Sequence, residues 1–452
     1  MKTIELHADF QGKDTPMKPV HSVNNGPRQG GAHLNIDLTE EFREIGIPFS
    51  RLHDTEYPYG CNQFVDIHCV FPDFFADAEA ESSYNFAATD AYIRGILDAG
   101  TQVFYRLGES IDHFEKKLYV RPPRDYLQWA KICEHIILHY NAGWANGFHY
   151  GIKYWEIWNE PDNPAMWTGT HREFFELYRV AANYLKEKFP DLQIGGYSAS
   201  GFYMTNRPDA NDWFRTLVPY AREFFSYITD PKTRAPMDFF SWHCYAEAPE
   251  EIALHAKFAR ELLDGYGLSS CKSFLTEYNT FYSLGMQPNR KRVYPAELAA
   301  GLIAAQKSEL DMMMYYDMRI CDMNGLVSVT DATRNVLCRL PAFCAMRLFG
   351  KMYRLGRQFP SEDGCGLYTL AAGSAADGRA VLIASTTFSG LLRLKIGGTD
   401  SAFVLLEAKK KGGYAFLCDT ESGEAVFRVR AGGIYFAAEK GMPVSEEVLH
   451  KD

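Results

Sequence analysis

Long apolar runs are missing from this chain of 452 residues. No stretch of 18 apolar residues occurs, so no transmembrane helix is expected. The start, Met1-Lys2-Thr3-Ile4-Glu5-Leu6-His7-Ala8-Asp9-Phe10, lacks the apolar core of a secretory signal, and a cytoplasmic protein is the expectation. Close cysteine pairs are also missing. The ten cysteines are scattered, with no Cys-x-x-Cys, which reads as reduced thiols packed as small hydrophobes and not as a zinc site. There is no Gly-x-x-x-x-Gly-Lys phosphate loop, no dinucleotide fingerprint and no His-Glu-x-x-His, and no cofactor is expected. Basic residues are the minority, 47 against 57 acidic. The net charge of −10 argues against nucleic acid or an anionic membrane as the main partner. No internal repeat or low-complexity segment is found.

What is present is the composition of a large globular core: 46% hydrophobic and 23% charged residues. The length fits one large domain and one smaller. Aromatics reach 14%, enough to fill a core and also to line a sugar-binding cleft. Eight strand candidates stand at 18–23, 49–53, 102–107, 153–158, 193–197, 238–243, 273–277 and 312–317. Their starts lie 31 to 53 residues apart, room for one helix and its loops in each gap. Eight such units predict an α/β fold, a closed (β/α)8 TIM barrel. Helix signals lie between them. Trp129, Ile132, Cys133, Ile136, Ile137 and Tyr140 form one apolar stripe entered through Pro122-Pro123. Thr170 with Glu173 forms a capping box, and Gly100 ends a helix over 90–99.

After about residue 335 the texture changes. Short runs at 380–385, 391–396, 402–407, 414–418, 425–429 and 434–438 alternate with Gly turns, the pattern of an antiparallel β-sandwich. The expected division is a strand within 1–14 joining that sandwich, the barrel over 15–335 and the sandwich over 336–452. Lys409-Lys410-Lys411 reads as a solvated loop tip.

Barrel enzymes carry their chemistry at the C-terminal ends of the strands. Strand four ends in Asn159-Glu160-Pro161-Asp162, and Pro161, which cannot donate to a sheet, marks its end. Strand seven ends in Glu277-Tyr278-Asn279. Strands four and seven are not neighbours, so Glu160 and Glu277 face each other across the mouth, and paired carboxylates flanking a cleft are the machinery of glycoside hydrolysis. Either glutamate alone would read as a solvated rim residue. His53, Asp54 and Glu56 carry metal-ligand side chains, but neighbours on a strand alternate faces, and no metal is expected.

The stretch Tyr154-Trp155-Glu156-Ile157-Trp158-Asn159-Glu160-Pro161-Asp162 closely resembles the acid/base signature of glycoside hydrolase family 39, a clan A family of retaining enzymes that contains β-xylosidases and α-L-iduronidases. Further matches keep the family's order: Tyr84-Asn85-Phe86, Pro122-Pro123-Arg124-Asp125-Tyr126-Leu127-Gln128-Trp129-Ala130, Trp242-His243-Cys244-Tyr245 and Leu275-Thr276-Glu277-Tyr278-Asn279. The resemblance spans about residues 20 to 335. It implies Glu160 as general acid/base, Glu277 as nucleophile, Asn159 as the group that bonds the sugar 2-hydroxyl, and His243 and Tyr245 as orienting groups. Arg51 would either hold Glu277 ionised or pair with Glu156, and His53 would bind a hydroxyl. Three departures stand out: Tyr278 where Trp is usual, Arg51-Leu52-His53-Asp54 in place of a His-Gly ending, and Glu109 after strand three. All are expected at the pocket's edge, which makes Asp54, Glu109 and Tyr278 substrate-contact candidates. The implied activity is that of a retaining exo-glycosidase. A β-xylosidase acting on short oligosaccharides leads, followed by an α-L-arabinosidase or α-L-iduronidase-like enzyme. A sugar-binding barrel without catalysis is the alternative of a different class. Self-association is an expectation by resemblance only.

Overall fold

The computed structural model describes the chain except residues 1, 32–33, 56–63, 208–210, 281–292, 321–323, 333, 410–412 and 444–452. Glu56, Lys410 and Lys411 therefore lie outside the described residues. Eight parallel strands close a barrel: β1 (Ser22–Asn24), β2 (Phe49–Arg51), β3 (Gln102–Leu107), β4 (Tyr154–Ile157), β5 (Gln193–Ala199), β6 (Phe239–Ala246), β7 (Lys272–Thr280) and β8 (Met312–Tyr315). Each neighbours the next in sequence, and β8 pairs with β1 to close the ring.

The helices that follow the strands are α1 (Thr39–Ile45), α2 (Ala87–Asp98), α3 (Tyr126–Ala142), α4 (His171–Lys188), α5 (Asp212–Thr229), α6 (Pro249–Gly265), α7 (Pro295–Lys307) and α8 (Phe343–Arg354). The Thr170–Glu173 capping box at α4 is formed as expected. The start of α3 differs: Asp125, not Pro122-Pro123, caps it, accepting from the backbone N–H groups of Leu127 and Gln128. Helix α8 lies beyond residue 335 and packs against α1 and α7.

Side-chain alternation builds the barrel interior in layers. The floor is apolar: Phe104, Tyr154, Phe239, Phe274, Met312 and Met314 form one buried cluster. One layer higher, the inward positions become polar, with Arg51, Arg106 and Glu156 fully buried. The barrel is thus sealed below and charged above, which places ionisable groups at the C-terminal mouth in a low-dielectric wall.

The remaining strands form two sheets. Seven strands run in the order Thr15–Pro16, Arg357–Phe359, Leu367–Ser374, Gly378–Ser385, Gly433–Glu439, Phe403–Ala408 and Tyr414–Asp419. Three more, Thr3–Asp9, Gly390–Gly397 and Glu424–Val429, make the second sheet, with Thr3–Asp9 parallel to Gly390–Gly397. The central strands of the larger sheet, Leu367–Ser374, Gly378–Ser385 and Gly433–Glu439, are buried on both faces. On Gly378–Ser385, Val381 and Ile383 pack toward the smaller sheet, while Leu382 joins the barrel's core. Strand Leu367–Ser374 is absent from the sequence expectation. Its run Leu-Tyr-Thr-Leu-Ala-Ala-Gly-Ser does not alternate, because both faces are covered. Among the described residues, no helix is long and apolar enough to cross a membrane.

Candidate active site

Glu160 and Glu277 meet where expected, at the mouth. Strand β4 ends at Ile157, and the chain turns through Trp158 (φ 71°) and Glu160 (φ 46°), both left-handed, a conformation that non-glycine residues adopt at a cost. The Glu160 N–H donates to the Ser198 carbonyl at the end of β5 (3.0 Å). Gly108 makes room for this turn. Its φ is 130°, and a Cβ there would stand 3.1 Å from the Trp158 Cα and 3.0 Å from its ring. On β7, alternation aims Glu277 inward.

His243 joins the two carboxylates. Its Nδ1 lies 2.7 Å from Glu160 Oε1, and its Nε2 lies 3.5 Å from Glu277 Oε1 and 2.6 Å from Ser198 Oγ. One oxygen each of Glu160 and Glu277 and one nitrogen of His243 all fall within 4.8 Å of one another.

Arg51 lies beneath them, fully buried. Its Nε donates to Glu156 Oε2 (2.6 Å), its Nη1 to Glu277 Oε1 (2.9 Å) and Asn24 Oδ1 (3.1 Å), and its Nη2 to Asn159 Oδ1 (2.6 Å) and Ser198 Oγ (3.0 Å). All five donors of the guanidinium are used. Arg51 pairs with Glu156 and with Glu277 at once. Tyr245 donates its hydroxyl to Glu277 Oε2 (2.8 Å).

The electrostatics of the two glutamates differ. Burial pushes Glu160 up to about 7, opposed by a hydrogen bond from Asn163. Burial also raises Glu277, against the pull of His243, Arg51 and Tyr245. The contact expected between Arg51 and Glu277 exists, but burial outweighs it. Of the two, Glu277 is the one in direct contact with a permanent cation, Arg51. Burial lowers His243 to about 4, so its ring is neutral near pH 7. Asp162, also buried, is pushed up to about 7 and accepts from Ser200 Oγ (2.5 Å).

His53 and Asp54 lie beside this core. His53 Nε2 is 3.4 Å from Glu277 Oε1 and 3.5 Å from Asp54 Oδ2. Burial pushes the His53 ring well below its ordinary range. Asp54 is held in a left-handed conformation (φ 48°) and accepts from the Tyr316 hydroxyl at Oδ2 (2.7 Å). Burial works against its charge, yet His53, Arg319 and Tyr316 hold Asp54 below the usual carboxylate value. Among the described residues, Asp54 Oδ1 and His53 Nδ1 are buried with no hydrogen-bond partner.

Two expected residues do not join this group. Tyr278 is next to Glu277 on β7 and therefore points outward. Its hydroxyl faces α7, 2.3 Å from where a Cβ on Gly301 would stand, so its expected place at the pocket's edge is corrected. Glu109 accepts from the backbone N–H of His68 (3.2 Å) and pairs with His68 Nδ1. Burial opposes the charge on His68, but Glu109 outweighs it and pushes the imidazole up to about 11. This second cluster touches the first where Ser110 Oγ accepts from the Asp54 N–H (3.2 Å).

Sequence reasoning missed Ser198, Tyr316 and Arg319. Arg319 donates to Asp317 (2.7 Å), to the Asp54 carbonyl (2.9 Å) and to the Tyr316 hydroxyl (3.1 Å). The signal was available, because Ser198 and Tyr316 stand at the C-terminal ends of strands five and eight. Among the described residues, two His–carboxylate groups are compact enough to hold one cation: Glu160–His243–Glu277 and Asp66–His68–Glu109. In each, an arginine, Arg51 or Arg106, is already bonded to one carboxylate and supplies the positive charge.

A buried carboxyl raised to about 7, opposite a carboxyl paired with arginine, can offer a proton to one side of a bound molecule while its partner offers a lone pair to the other. Similar curated proteins include a "Beta-xylosidase" of Geobacillus stearothermophilus, 25% identical over 341 residues, and one of Caldicellulosiruptor saccharolyticus, 24% identical over 243 residues. The matches cover 66% and 50% of this chain, but 63% and 43% of those relatives' own length. In fold, the chain resembles a glucosidase of Croceicoccus marinus (TM-score 0.73, 19% identity, 96% of this chain and 98% of that one). It also resembles a monomeric β-xylosidase of Caulobacter crescentus (TM-score 0.67, 14% identity, 96% and 99%). The sequence model of Glycosyl hydrolases family 39 matches residues 50–330, well over half of the chain, and the chain belongs to that family.

Proposed function

We propose that the chain is a retaining, exo-acting glycoside hydrolase, with β-xylosides of short oligosaccharides as its substrates. The observation that carries this reading is the pair Glu160 and Glu277, with oxygens within 4.8 Å of each other and different partners, Arg51 on Glu277 and the neutral Asn163 amide on Glu160. Retaining enzymes hold their two carboxyl groups about 5–5.5 Å apart, and inverting ones about 6.5–9.5 Å. In the first step Glu277 attacks the anomeric carbon while Glu160 gives its proton to the departing oxygen. The sugar is then esterified to Glu277, and the charge of that carboxylate is gone. Glu160, now ionised, takes a proton from water as the water attacks the ester. The amide Nδ2 of Asn159 is the group that meets the 2-hydroxyl, since its Oδ1 is held by Arg51 and Ser198.

Two observations support the finer assignment. The similar curated proteins are named β-xylosidases. The ionised Asp54 also lies within one histidine of Glu277, which favours a neutral pentose over a uronate.

The test is turnover of a panel of nitrophenyl glycosides. Glu277→Ala should abolish it on every substrate. Glu160→Ala should slow poor leaving groups by roughly 10²–10⁴, the usual worth of general acid help, and spare activated aryl glycosides at the first step. Added azide should then restore the rate through a β-configured azide product. Equal loss in both variants on every substrate, with no azide effect, would overturn the assignment. So would activity confined to uronides.

A further inference from the structure

With its ring neutral, the hydrogen bonds around His243 leave a proton count that admits two arrangements. Ser198 Oγ has one hydrogen and three polar neighbours. Arg51 Nη2 (3.0 Å) can only donate to it, Asn159 Oδ1 (3.0 Å) can only accept, and His243 Nε2 (2.6 Å) can do either. Asn159 Oδ1 must face Arg51 Nη2, which fixes the orientation of its amide. Ser198, Asn159 and His243 are all buried, so none of these groups turns to bulk solvent instead.

In the first arrangement Ser198 donates to Asn159 and accepts from His243 Nε2–H. A neutral ring then has a bare Nδ1, and the 2.7 Å contact with Glu160 Oε1 requires Glu160 to be protonated. In the second, Ser198 donates to a bare Nε2. The ring proton is then on Nδ1 and points at Glu160, which must be ionised. Both arrangements satisfy every group, and they differ in the state of Glu160.

We propose that Ser198 is a positioning residue for the reaction: by turning its one hydroxyl hydrogen between Asn159 and His243, it lets His243 change tautomer with the protonation of Glu160. The inference rests on the glycosidase reading above and deepens it. The balance is simple. Three hydrogens, on Glu160 Oε1, His243 Nε2 and Ser198 Oγ, become two, on His243 Nδ1 and Ser198 Oγ, and one proton leaves to solvent. Without Ser198, the nearest remaining partner of Nε2 is the carboxylate of Glu277 at 3.5 Å. A carboxylate can only accept, so the Nε2–H tautomer and the protonated Glu160 are locked in. The other ionisable groups facing this unit are Arg51 and Asp54 from the β2 side, Glu156 and Asp162 from β4 and its loop, Tyr203 after β5, Tyr245 on β6 and Glu277 on β7. Each makes the same demand on either tautomer of a neutral ring, except Glu277, which favours Nε2–H.

The experiment is nitrogen-15 NMR of the histidine side chains of the whole chain across pH 5 to 9, with His243→Gln used to assign the signal. It is read beside the pH dependence of kcat/KM. In the native protein His243 should pass from Nε2–H to Nδ1–H as pH rises through about 7. In Ser198→Ala it should stay Nε2–H. The alkaline fall of kcat/KM should then move up by about one pH unit, the scale of one buried hydrogen bond, while the acidic fall stays in place. Ser198→Thr, which keeps the hydroxyl, should restore both readouts and serves if the alanine variant does not fold. A single tautomer in the native protein throughout, or an unmoved alkaline fall in Ser198→Ala, would overturn the relay and leave the glycosidase reading intact. A clear tautomer switch in a protein that turns over no glycoside would overturn the activity and leave the relay standing.

Discussion

Arg51 and Glu277 meet at 2.9 Å although 226 residues separate them in the chain, and the same guanidinium holds Glu156 at 2.6 Å. One cation therefore serves two buried carboxylates and two amide oxygens. Removing it should leave both glutamates without their buried counter-charge. Arg51→Ala should lose about 3–5 kcal/mol of unfolding free energy, the usual cost of breaking a buried ion pair, and should lose turnover with it. Arg51→Lys keeps the charge but not the five-donor fork. It should fold, and the acidic fall of kcat/KM should move to higher pH as Glu277 loses its close partner. Denaturant unfolding and a pH–rate profile check both. An unshifted acidic fall in a folded Arg51→Lys variant would separate Glu277 from Arg51.

Glu160 should cost stability in return for its acidity. Its folded value, about 7, lies above the ordinary carboxyl value of 4.5. Between those two values the folded state binds more protons than the unfolded one, so stability falls as pH rises from about 4.5 to 7 and levels off above. The penalty above pH 7 is on the order of 3 kcal/mol. Glu160→Gln should therefore be more stable than the native protein at pH 8 and little changed at pH 4.5. Thermal unfolding at the two pH values measures this. Equal effects at both would show that Glu160 does not carry the shift.

Asp162 is the nearest rival for the alkaline fall, since burial pushes it to about 7 as well. Its hydrogen bonds go to Ser200, both N–H (3.1 Å) and hydroxyl (2.5 Å), and not to the mouth. Asp162→Asn should lower that fall by removing a neighbouring negative charge from Glu160, and should not abolish it. Glu160→Gln should abolish it on an aryl glycoside with a good leaving group. A fall that vanishes in Asp162→Asn would reassign it.

Asp54 and Tyr316 should govern which sugars are accepted. Tyr316→Phe removes the donor to Asp54 Oδ2, and Asp54→Asn removes the charge held there. Both should reduce kcat/KM for a neutral pentoside by about tenfold or more, consistent with about 1.5–3 kcal/mol for a hydrogen bond to a charged group. Asp54→Asn should also raise the relative rate on a uronide. Unchanged ratios between pentoside and uronide would remove Asp54 from sugar selection.

Tyr278 should matter for packing and not for catalysis. Tyr278→Phe should leave kcat/KM within about twofold, because its hydroxyl faces α7 at Gly301. Gly301→Ala should destabilise by about 1–3 kcal/mol, the usual cost of overpacking, and the two changes together should cost less than their sum. Additive effects would show that the two side chains do not compete for that space.

The sequence by itself determined the eight strands, the capping of α4 and the two glutamates at strand ends. Each of these follows from local periodicity, a turn signal or a short motif read in order. It did not determine which face of a strand end looks inward, because a single register step at a strand terminus reverses a side chain. That is why Tyr278 was expected at the mouth and lies outside it. Strand Leu367–Ser374 was hidden for a related reason: burial on both faces erases the alternation that marks a strand. The sharing of Arg51 between Glu156 and Glu277, the bridge made by His243 and the tie from Asp54 to Tyr316 were decided by tertiary structure alone. They join residues from β2, β4, β6, β7 and β8, and only closure of the barrel brings those ends together. The raised pKa of Glu160 belongs to the same level, since burial, its largest cause, is a property of the folded wall and not of the motif.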